Sequence, residues 1–315
     1  MKIAILESLG VPQKELEERM RPFTDEGHEF AVFERTTDPA ALCAEAGGAQ
    51  AVIIANMPFP SDVIRSLEDL KFIDVAFTGV DHVGLDAARE KGIAVSNASG
   101  YSNEAVAELA AGMVLSLLRN IPQSDRRCRE GGTKDGLVGN EIMGKTVGIV
   151  GLGKIGTRSA ELFHAFGAEV ISASRSVHAD APAYVSQVSL DELLQRADIV
   201  ILHCPLTNET RGMINAEKLA LMKQSAFLIN VARGPVVVSQ DLADALNEGR
   251  IAGAGIDVFD KEPPLDPADP LLHAKNTIVT PHAAFATKES MSLRAQIVFD
   301  NLKAWMDGEQ KNVIG

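Results

Sequence analysis

Short apolar runs alternate with amphipathic stretches along most of this chain, in two successive series. Such runs are typical of buried strands, and the stretches between them have helical spacing. Because strict alternation of strand and helix builds a parallel sheet covered on both faces, we predict an α/β protein. Strands of the first series are expected at residues 2–6, 29–33, 51–55, 72–77 and 93–96, with helices at 13–20, 39–45, 61–67 and 85–91.

The second series predicts a larger sheet. Its strands are expected at residues 146–150, 169–172, 199–203, 226–230, 253–256 and 277–279. Six strands are the number in a complete dinucleotide-binding sheet. A chain of 315 residues is also long enough for two domains. We expect a terminal helix at 288–308 to return to the first domain, so that the first domain comprises 1–98 with 288–315 and the second 99–287.

Composition and charge exclude several classes of protein. Hydrophobic residues make up 46% and charged residues 23%, as in globular proteins. A formal net charge of -13 opposes binding to nucleic acid or to anionic membranes. No stretch approaches the roughly 18 apolar residues of a membrane span, and the N-terminus lacks the apolar segment of a secretory signal. We therefore expect a soluble, cytoplasmic protein without nucleic-acid or membrane partners.

The three cysteines, Cys43, Cys128 and Cys204, are odd in number and far apart. Their spacing matches no metal-ligand pattern. We expect a reducing compartment, no disulfide and no metal.

A glycine-rich loop follows the first strand of the second series. The apolar segment 146–150 runs directly into Gly151-Leu152-Gly153-Lys154-Ile155-Gly156, and a helical pattern follows. Gly151 permits a tight turn, Gly153 leaves room for a pyrophosphate, and Gly156 lets the helix pack closely on the strand. The free amides at the helix start would bind the anion. An ordinary strand-to-helix turn is the alternative, but it requires one glycine rather than three.

The end of the next strand bears on the choice of cofactor. Proteins that bind NAD place an acid here on the ribose 2'-hydroxyl, whereas this chain has Ser174-Arg175-Ser176. A guanidinium and two hydroxyls are suitable donors for a 2'-phosphate, so we predict that NADP(H) is favoured and NAD(H) possible. In the alternative, Arg175 stacks on adenine and both cofactors are used.

Three residues after later strands have side chains suited to the reduction of a 2-keto acid. Arg233 could hold the carboxylate and the carbonyl oxygen, and His282 could supply the proton for the developing alkoxide. Glu262 could accept a hydrogen bond from the imidazole and fix its tautomer. Taken singly, each has a structural alternative: a surface ion pair, a loop histidine and a solvated acid.

The chain resembles the D-isomer-specific 2-hydroxyacid dehydrogenases over nearly its whole length. The resemblance is carried, beside the glycine loop, by Thr78-Gly79-Val80-Asp81-His82, Gly100-Tyr101 with Val106-Ala107-Glu108, His203-Cys204-Pro205-Leu206-Thr207, the segment 230–234, Gly255-Ile256-Asp257-Val258-Phe259 with Glu262-Pro263, and Pro281-His282. It implies two doubly wound parallel-sheet domains, a Rossmann dinucleotide-binding domain and a flavodoxin-like substrate (catalytic) domain.

The resemblance also implies roles for residues. It makes Arg233, Glu262 and His282 the catalytic residues, and it adds Gly79 and Val80 as substrate-binding positions through backbone amides. Asp257 would contact the nicotinamide carboxamide. Further positions on the cofactor would be Lys154, Ile155, Cys204, Pro205, Val231 and Ala232. For Cys204, packing at the strand end is an equally good interpretation.

We therefore expect an oxidoreductase that moves a hydride between NAD(P)H and the 2-carbon of a small 2-keto or 2-hydroxy acid, similar to glyoxylate and hydroxypyruvate reductases. The resemblance further implies a homodimer joined through residues 102–118. Two alternatives stay open: a dinucleotide-sensing interaction protein similar to corepressors of this fold, and an oxidoreductase similar to formate or phosphite dehydrogenases. The identity of the acid cannot be read from the sequence.

Overall fold

A computed structural model describes residues 1–314 and divides the chain into two compact units. Unit 1 comprises Met1–Ser102 and Ala286–Gly315, and unit 2 comprises Asn103–Phe285. The chain therefore leaves unit 1 after Ser102 and returns to it at Ala286.

Unit 1 contains one parallel sheet with helices between its strands. The strands are β1 (Lys2–Ile5), β2 (Glu29–Val32), β3 (Ala51–Ile54), β4 (Phe72–Val75) and β5 (Ala94–Asn97). The helices are α1 (Gln13–Asp25), α2 (Pro39–Ala46), α3 (Ser61–Ser66), α4 (Leu85–Glu90) and, after the excursion through unit 2, α11 (Lys288–Met306). All five strands lie where the apolar runs predict them.

The strand order of this sheet is β2-β1-β3-β4-β5, and every pairing is parallel. This is the flavodoxin-like order, which confirms the predicted architecture of the first domain. The residues of β3 and β4 are fully buried because helices cover both faces. Helix α11 packs against β4, where the rings of Trp305 and Phe72 stack with centroids 4.9 Å apart.

Unit 2 contains the larger sheet. Its strands are β6 (Thr146–Val150), β7 (Glu169–Ala173), β8 (Val185–Gln187), β9 (Ile199–Leu202), β10 (Phe227–Asn230), β11 (Gly253–Ile256) and β12 (Thr277–Val279). Its helices are α5 (Asn103–Leu118), α6 (Ile121–Arg129), α7 (Lys154–Ala165), α8 (Leu190–Arg196), α9 (Ala216–Leu219) and α10 (Ser239–Asn247), with short 3-10 turns at Gly234–Val236 and Pro270–Leu272.

The order of this sheet is β12-β11-β10-β9-β6-β7-β8, with parallel pairing throughout. It is the Rossmann order 3-2-1-4-5-6, formed by β8-β7-β6-β9-β10-β11, with β12 as a seventh strand at the edge. The predicted count of six strands was wrong by one, because β8 was missed. Only Val185 of β8 is buried, and a three-residue strand with two exposed polar residues has no apolar run to reveal it. The order changes direction between β9 and β6, which is the point where such sheets bind ligands.

Helix α5 is largely buried within unit 2. Nine of its residues are buried, and it packs against α7 and against β10, β11 and β12. Within residues 1–314 no single helix is long and apolar enough to cross a membrane, although α5 and α6 pass that test as a bent pair, by length and composition only. The same residues include no group of three or more His, Cys, Asp or Glu side chains that could hold a metal ion.

Candidate functional site

The three residues with suitable chemistry follow three adjacent strands. Arg233 follows β10, Glu262 follows β11 and His282 follows β12, and β10, β11 and β12 lie side by side in the sheet. Because parallel strands present their carboxyl ends at one edge, the three loops emerge at the same edge.

The structure brings His282 and Glu262 into direct contact. Nδ1 of His282 lies 2.6 Å from Oε1 of Glu262, and both side chains are mostly buried, at 17% and 16% exposed. The other carboxylate oxygen of Glu262 accepts a hydrogen bond from the backbone N–H of Phe259 at 3.1 Å, which fixes the carboxylate. With Nδ1 donating to Glu262, the Nε2 atom of His282 is the nitrogen that can give or take a proton.

Asp257 holds the loop that carries His282. Its carboxylate accepts hydrogen bonds from the hydroxyl of Thr280 at 2.5 Å and from the backbone N–H groups of Ala283 and Ala284 at 2.8 and 2.9 Å. Burial raises the pKa of Asp257, and these hydrogen bonds oppose that rise. The backbone N–H of His282 donates to the Asp257 carbonyl at 2.7 Å.

This arrangement gives Asp257 a structural task that sequence reasoning missed. The residue is fully buried, and both oxygens of its carboxylate accept hydrogen bonds from the loop that carries His282. Its expected contact with the nicotinamide carboxamide stays a prediction. Thr280, which also belongs to this set, carried no signal beyond its position just after a strand.

The loop of Arg233 is organised by its neighbours. The side-chain amide of Asn230 donates to the Arg233 carbonyl at 3.1 Å, and its oxygen accepts from the N–H of Ala232 at 3.1 Å. Gly234 has no room for a side chain, because a Cβ there would lie 2.1 Å from the backbone carbon of Phe259. The loop after β10 is therefore pressed against the loop that leads to Glu262. The guanidinium of Arg233 is partly buried, and its Nη1 donates to the Ala232 carbonyl at 2.8 Å.

The glycine loop has the geometry that a dinucleotide needs. Gly151 has φ of +96° and packs on the backbone of Cys204, where a Cβ would lie 2.8 Å from the Cys204 nitrogen. A Cβ at Gly156 would lie 2.0 Å from the Gly151 carbonyl oxygen, so helix and turn touch. A Cβ at Gly153 would have no neighbour within 4 Å, which leaves open space in front of the start of α7. These three environments fit a pyrophosphate bound at the helix N-terminus.

The other predicted cofactor positions lie at the start of α7 and just after β9 and β10. Lys154 and Ile155 form the first turn of α7, with Lys154 exposed. Val231 and Ala232 are buried after β10, and Pro205 is exposed after β9. Their contacts with a cofactor stay predictions.

The segment Ser174-Arg175-Ser176 is exposed just beyond β7. The hydroxyl of Ser174 accepts a hydrogen bond from the backbone N–H of Leu152 at 2.9 Å, which ties this segment to the glycine loop. The guanidinium of Arg175 lies 3.8 Å from the carboxylate of Glu209. Sequence reasoning did not single out Glu209.

Cys204 and His203 lie behind the glycine loop. Burial raises the pKa of the Cys204 thiol to about 11, so at neutral pH the side chain is a small neutral group that packs at the strand end. Nε2 of His203 lies 2.8 Å from the hydroxyl of Ser159 on α7. Burial lowers the pKa of His203 to about 4, so its imidazole is neutral.

Gly79 and Val80 lie in unit 1, shortly after β4. Both are partly buried, and the Thr78 carbonyl just before them accepts a hydrogen bond from the side-chain amide of Asn97 at 2.7 Å. Their expected role at the substrate carboxylate stays a prediction.

Comparison with known proteins identifies one family. Residues 111–284 match the family described as "D-isomer specific 2-hydroxyacid dehydrogenase, NAD binding domain". The matched segment lies within unit 2 and contains the glycine loop, Arg233, Glu262 and His282.

Individual relatives extend the likeness over the whole chain. The hydroxypyruvate reductase of Blautia hydrogenotrophica is 35% identical over 301 residues, which are 91% of this chain and 92% of that protein. The acyclic imino acid reductase Bsp5, solved with NADPH and D-Arg, superposes with a TM-score of 0.91 at 27% identity over 100% of both chains. The D-lactate dehydrogenase of Aquifex aeolicus, solved with NAD and lactic acid, gives a TM-score of 0.86 at 29% identity over 98% of this chain and 96% of that one.

Proposed function

We propose that this chain, which belongs to the D-isomer specific 2-hydroxyacid dehydrogenases, reduces a small 2-keto acid such as hydroxypyruvate or glyoxylate to the 2-hydroxy acid, with NADP(H) as the favoured cofactor. The observation that carries this proposal is the contact between His282 and Glu262, on the loops of two adjacent strands in the sheet that also bears the glycine loop.

A bound nicotinamide cofactor supplies the hydride for the 2-carbon of the acid. His282 donates a proton from Nε2 to the developing alkoxide, and in the opposite direction it accepts the proton of the alcohol. Glu262 holds Nδ1 and stabilises the imidazolium whenever Nε2 is protonated. The two residues therefore act as one proton-transfer unit.

Arg233 orients the acid. Its planar guanidinium can bind the carboxylate with two parallel hydrogen bonds, and the bonds from Asn230 to the loop backbone hold its Cα in place. Fixing the carboxylate also fixes the distance between the carbonyl carbon and the hydride donor.

The preference for NADP(H) is supported by Ser174-Arg175-Ser176, because no carboxylate within this segment opposes a 2'-phosphate. The solved relatives include one with NADPH and one with NAD, so both cofactors occur on this fold. Comparing kcat/KM for NADPH and NADH decides the matter, and a clear advantage for NADH would contradict the preference.

The resemblance to the family also leads us to propose a homodimer. Helix α6 has no buried residue, and its first residue, Ile121, is a large exposed apolar side chain, as are Val138 and Met143 in the segment between α6 and β6. Sedimentation equilibrium gives the mass in solution, and a monomer at micromolar concentration would contradict this proposal.

The activity is tested with a panel of substrates and two variants. Glyoxylate, hydroxypyruvate, pyruvate and bulkier 2-keto acids are offered with NADPH and with NADH, and formate and phosphite are offered with the oxidised cofactors. We expect turnover with at least one keto acid, a loss of kcat of about a thousandfold in His282→Ala, and nearly unchanged Kd for NADP+.

His273→Ala is the matched control, since His273 lies in another loop of the same unit and its ring contacts the Pro267 carbonyl. Near-normal kcat in His282→Ala would contradict the assignment of the proton donor. Activity with formate or phosphite alone would contradict the assignment of the substrate.

A further inference from the structure

An ion pair joins the loops on either side of the glycine loop. Strand β6, which leads into that loop, lies between β7 and β9. Arg175 follows β7 and Glu209 lies in the loop after β9, and their charged groups are 3.8 Å apart. The pair thus connects the two strands that flank β6, at the edge where the glycine loop emerges.

Both ends of this pair stand on ordered backbone. The loop before Arg175 is held by the bond from Leu152 to the Ser174 hydroxyl. Around Glu209, the hydroxyl of Thr210 donates to the Pro205 carbonyl at 2.7 Å, and the N–H of Glu209 donates to the Thr207 hydroxyl at 3.3 Å. The side chains themselves are 84% and 75% exposed, so the guanidinium is free to change partner.

The guanidinium of Arg175 has a second partner under the function proposed above, on which this inference rests. A 2'-phosphate needs a cation at the end of β7, and Arg175 is the cation there. Glu209 already neutralises part of that charge, so the guanidinium attracts a phosphate less strongly than it would alone.

We propose that Glu209 is a determinant of cofactor specificity, which competes with the ribose 2'-phosphate for the guanidinium of Arg175. Because the pair is exposed and longer than a hydrogen bond, Glu209 weakens binding of the 2'-phosphate without preventing it. A ribose with a free 2'-hydroxyl carries no phosphate for Arg175 to bind, so Glu209 does not weaken the binding of NAD(H). Glu209 therefore reduces the preference of the protein for NADP(H) over NAD(H).

The test measures binding to the apo protein by calorimetry, with 2',5'-ADP and 5'-AMP as probes. Four proteins are compared with the wild type at low and at high salt: Glu209→Gln, Arg175→Gln, the double variant and Glu192→Gln. Glu192 is the matched control, because it is an exposed acid of the same unit paired with Arg196 at 2.8 Å.

We expect Glu209→Gln to bind 2',5'-ADP about 3- to 10-fold more tightly at low salt, and 5'-AMP with unchanged affinity. The gain should shrink at high salt, where screening weakens the pair. It should disappear in the double variant, because the partner for which Glu209 competes is then absent. The control variant should bind both probes as the wild type does.

Unchanged affinity of Glu209→Gln for 2',5'-ADP would overturn the inference, and so would an equal gain for both probes or a gain that persists in the double variant. A different result is expected if the proposed NADP(H) preference itself is wrong. In that case the wild type binds the two probes equally well, and Arg175→Gln changes neither affinity.

Discussion

Nδ1 of His282 lies 2.6 Å from Oε1 of Glu262, although 19 residues of chain, with an entire strand among them, separate the two in sequence. The backbone of His282 has φ of +52°, a left-handed conformation that non-glycine residues seldom adopt. The bonds that Asp257 makes to residues 280, 283 and 284 hold the loop in this shape. A conformation of this kind persists only where its surroundings enforce it, and such positions are frequent at functional sites.

Replacing Glu262 with glutamine tests the electrostatic part of this contact. The amide keeps the shape and can still accept from Nδ1, but it does not stabilise an imidazolium. We expect kcat to fall about 10- to 100-fold with little change in the KM of the cofactor. Steady-state kinetics measure this, with Glu248→Gln, an exposed acid paired with Arg250, as the control. A kcat within twofold of the wild type would show that the charge of Glu262 is not needed.

Two glycine substitutions separate the folding role of the glycine loop from its binding role. Gly153 has φ of −76° and open space around a Cβ, so Gly153→Ala should unfold at the same temperature as the wild type. If the space receives a pyrophosphate, the methyl group should weaken NADP+ binding at least tenfold by calorimetry.

In Gly156→Ala the new Cβ meets the Gly151 carbonyl oxygen, so the backbone must move. We expect this variant to lose about 1–3 kcal/mol of unfolding free energy as well as affinity. Unimpaired NADP+ binding by Gly153→Ala would contradict the proposed place of the pyrophosphate.

His203 should make the protein less stable as the pH falls. Burial lowers the pKa of its imidazole from 6.5 to about 4, so below pH 6.5 the unfolded chain takes up a proton that the folded protein refuses. Folding free energy is thus lost between pH 6.5 and pH 4, by at most about 3 kcal/mol. The Nδ1 atom has no hydrogen-bond partner within residues 1–314, which adds to the cost of charging it.

His203→Gln removes this titration and keeps a polar group toward Ser159. Urea unfolding at pH 7 and pH 5 should therefore show a smaller loss in the variant than in the wild type. Equal losses would mean that His203 is charged in the folded protein.

The strands were predictable because a strand that is buried on both faces must be a continuous apolar run, and β3 or β10 can be read directly from the sequence. Strand β8 could not, since it is short and partly polar. At the site, residue types predicted chemistry, and the sequence placed Arg233, Glu262 and His282 after predicted strands. That these strands are neighbours is known only from the order of the sheet.

The contacts within the site could not be predicted from the sequence. The distance from His282 to Glu262 depends on a left-handed backbone and on the bonds to Asp257, and both arise from tertiary packing. The pair of Arg175 and Glu209 likewise depends on which strands flank β6. Spacing along the chain does not contain this information.

Asp74 should make the fold less stable as the pH rises, which is the opposite of the effect predicted for His203. It is fully buried on β4, and burial raises its pKa well above the usual value, while the side-chain amide of Asn301 donates to Oδ1 at 3.1 Å. Oδ2 has no hydrogen-bond partner within residues 1–314, so ionisation leaves a poorly compensated charge. Below the ordinary pKa of 3.8 both states are protonated and no penalty exists. As the pH rises above it, the unfolded chain releases the proton while the folded protein keeps it, and stability falls.

Asp74→Asn cannot ionise, so its unfolding free energy should fall less than that of the wild type between pH 5 and pH 8. Urea unfolding of both proteins across this range measures the difference, and carboxylates common to both cancel. Asp62→Asn is the control, since Asp62 is an almost fully exposed acid of the same unit. Parallel curves for the wild type and Asp74→Asn would mean that Asp74 is ionised in the folded protein and that Asn301 and its surroundings compensate the charge.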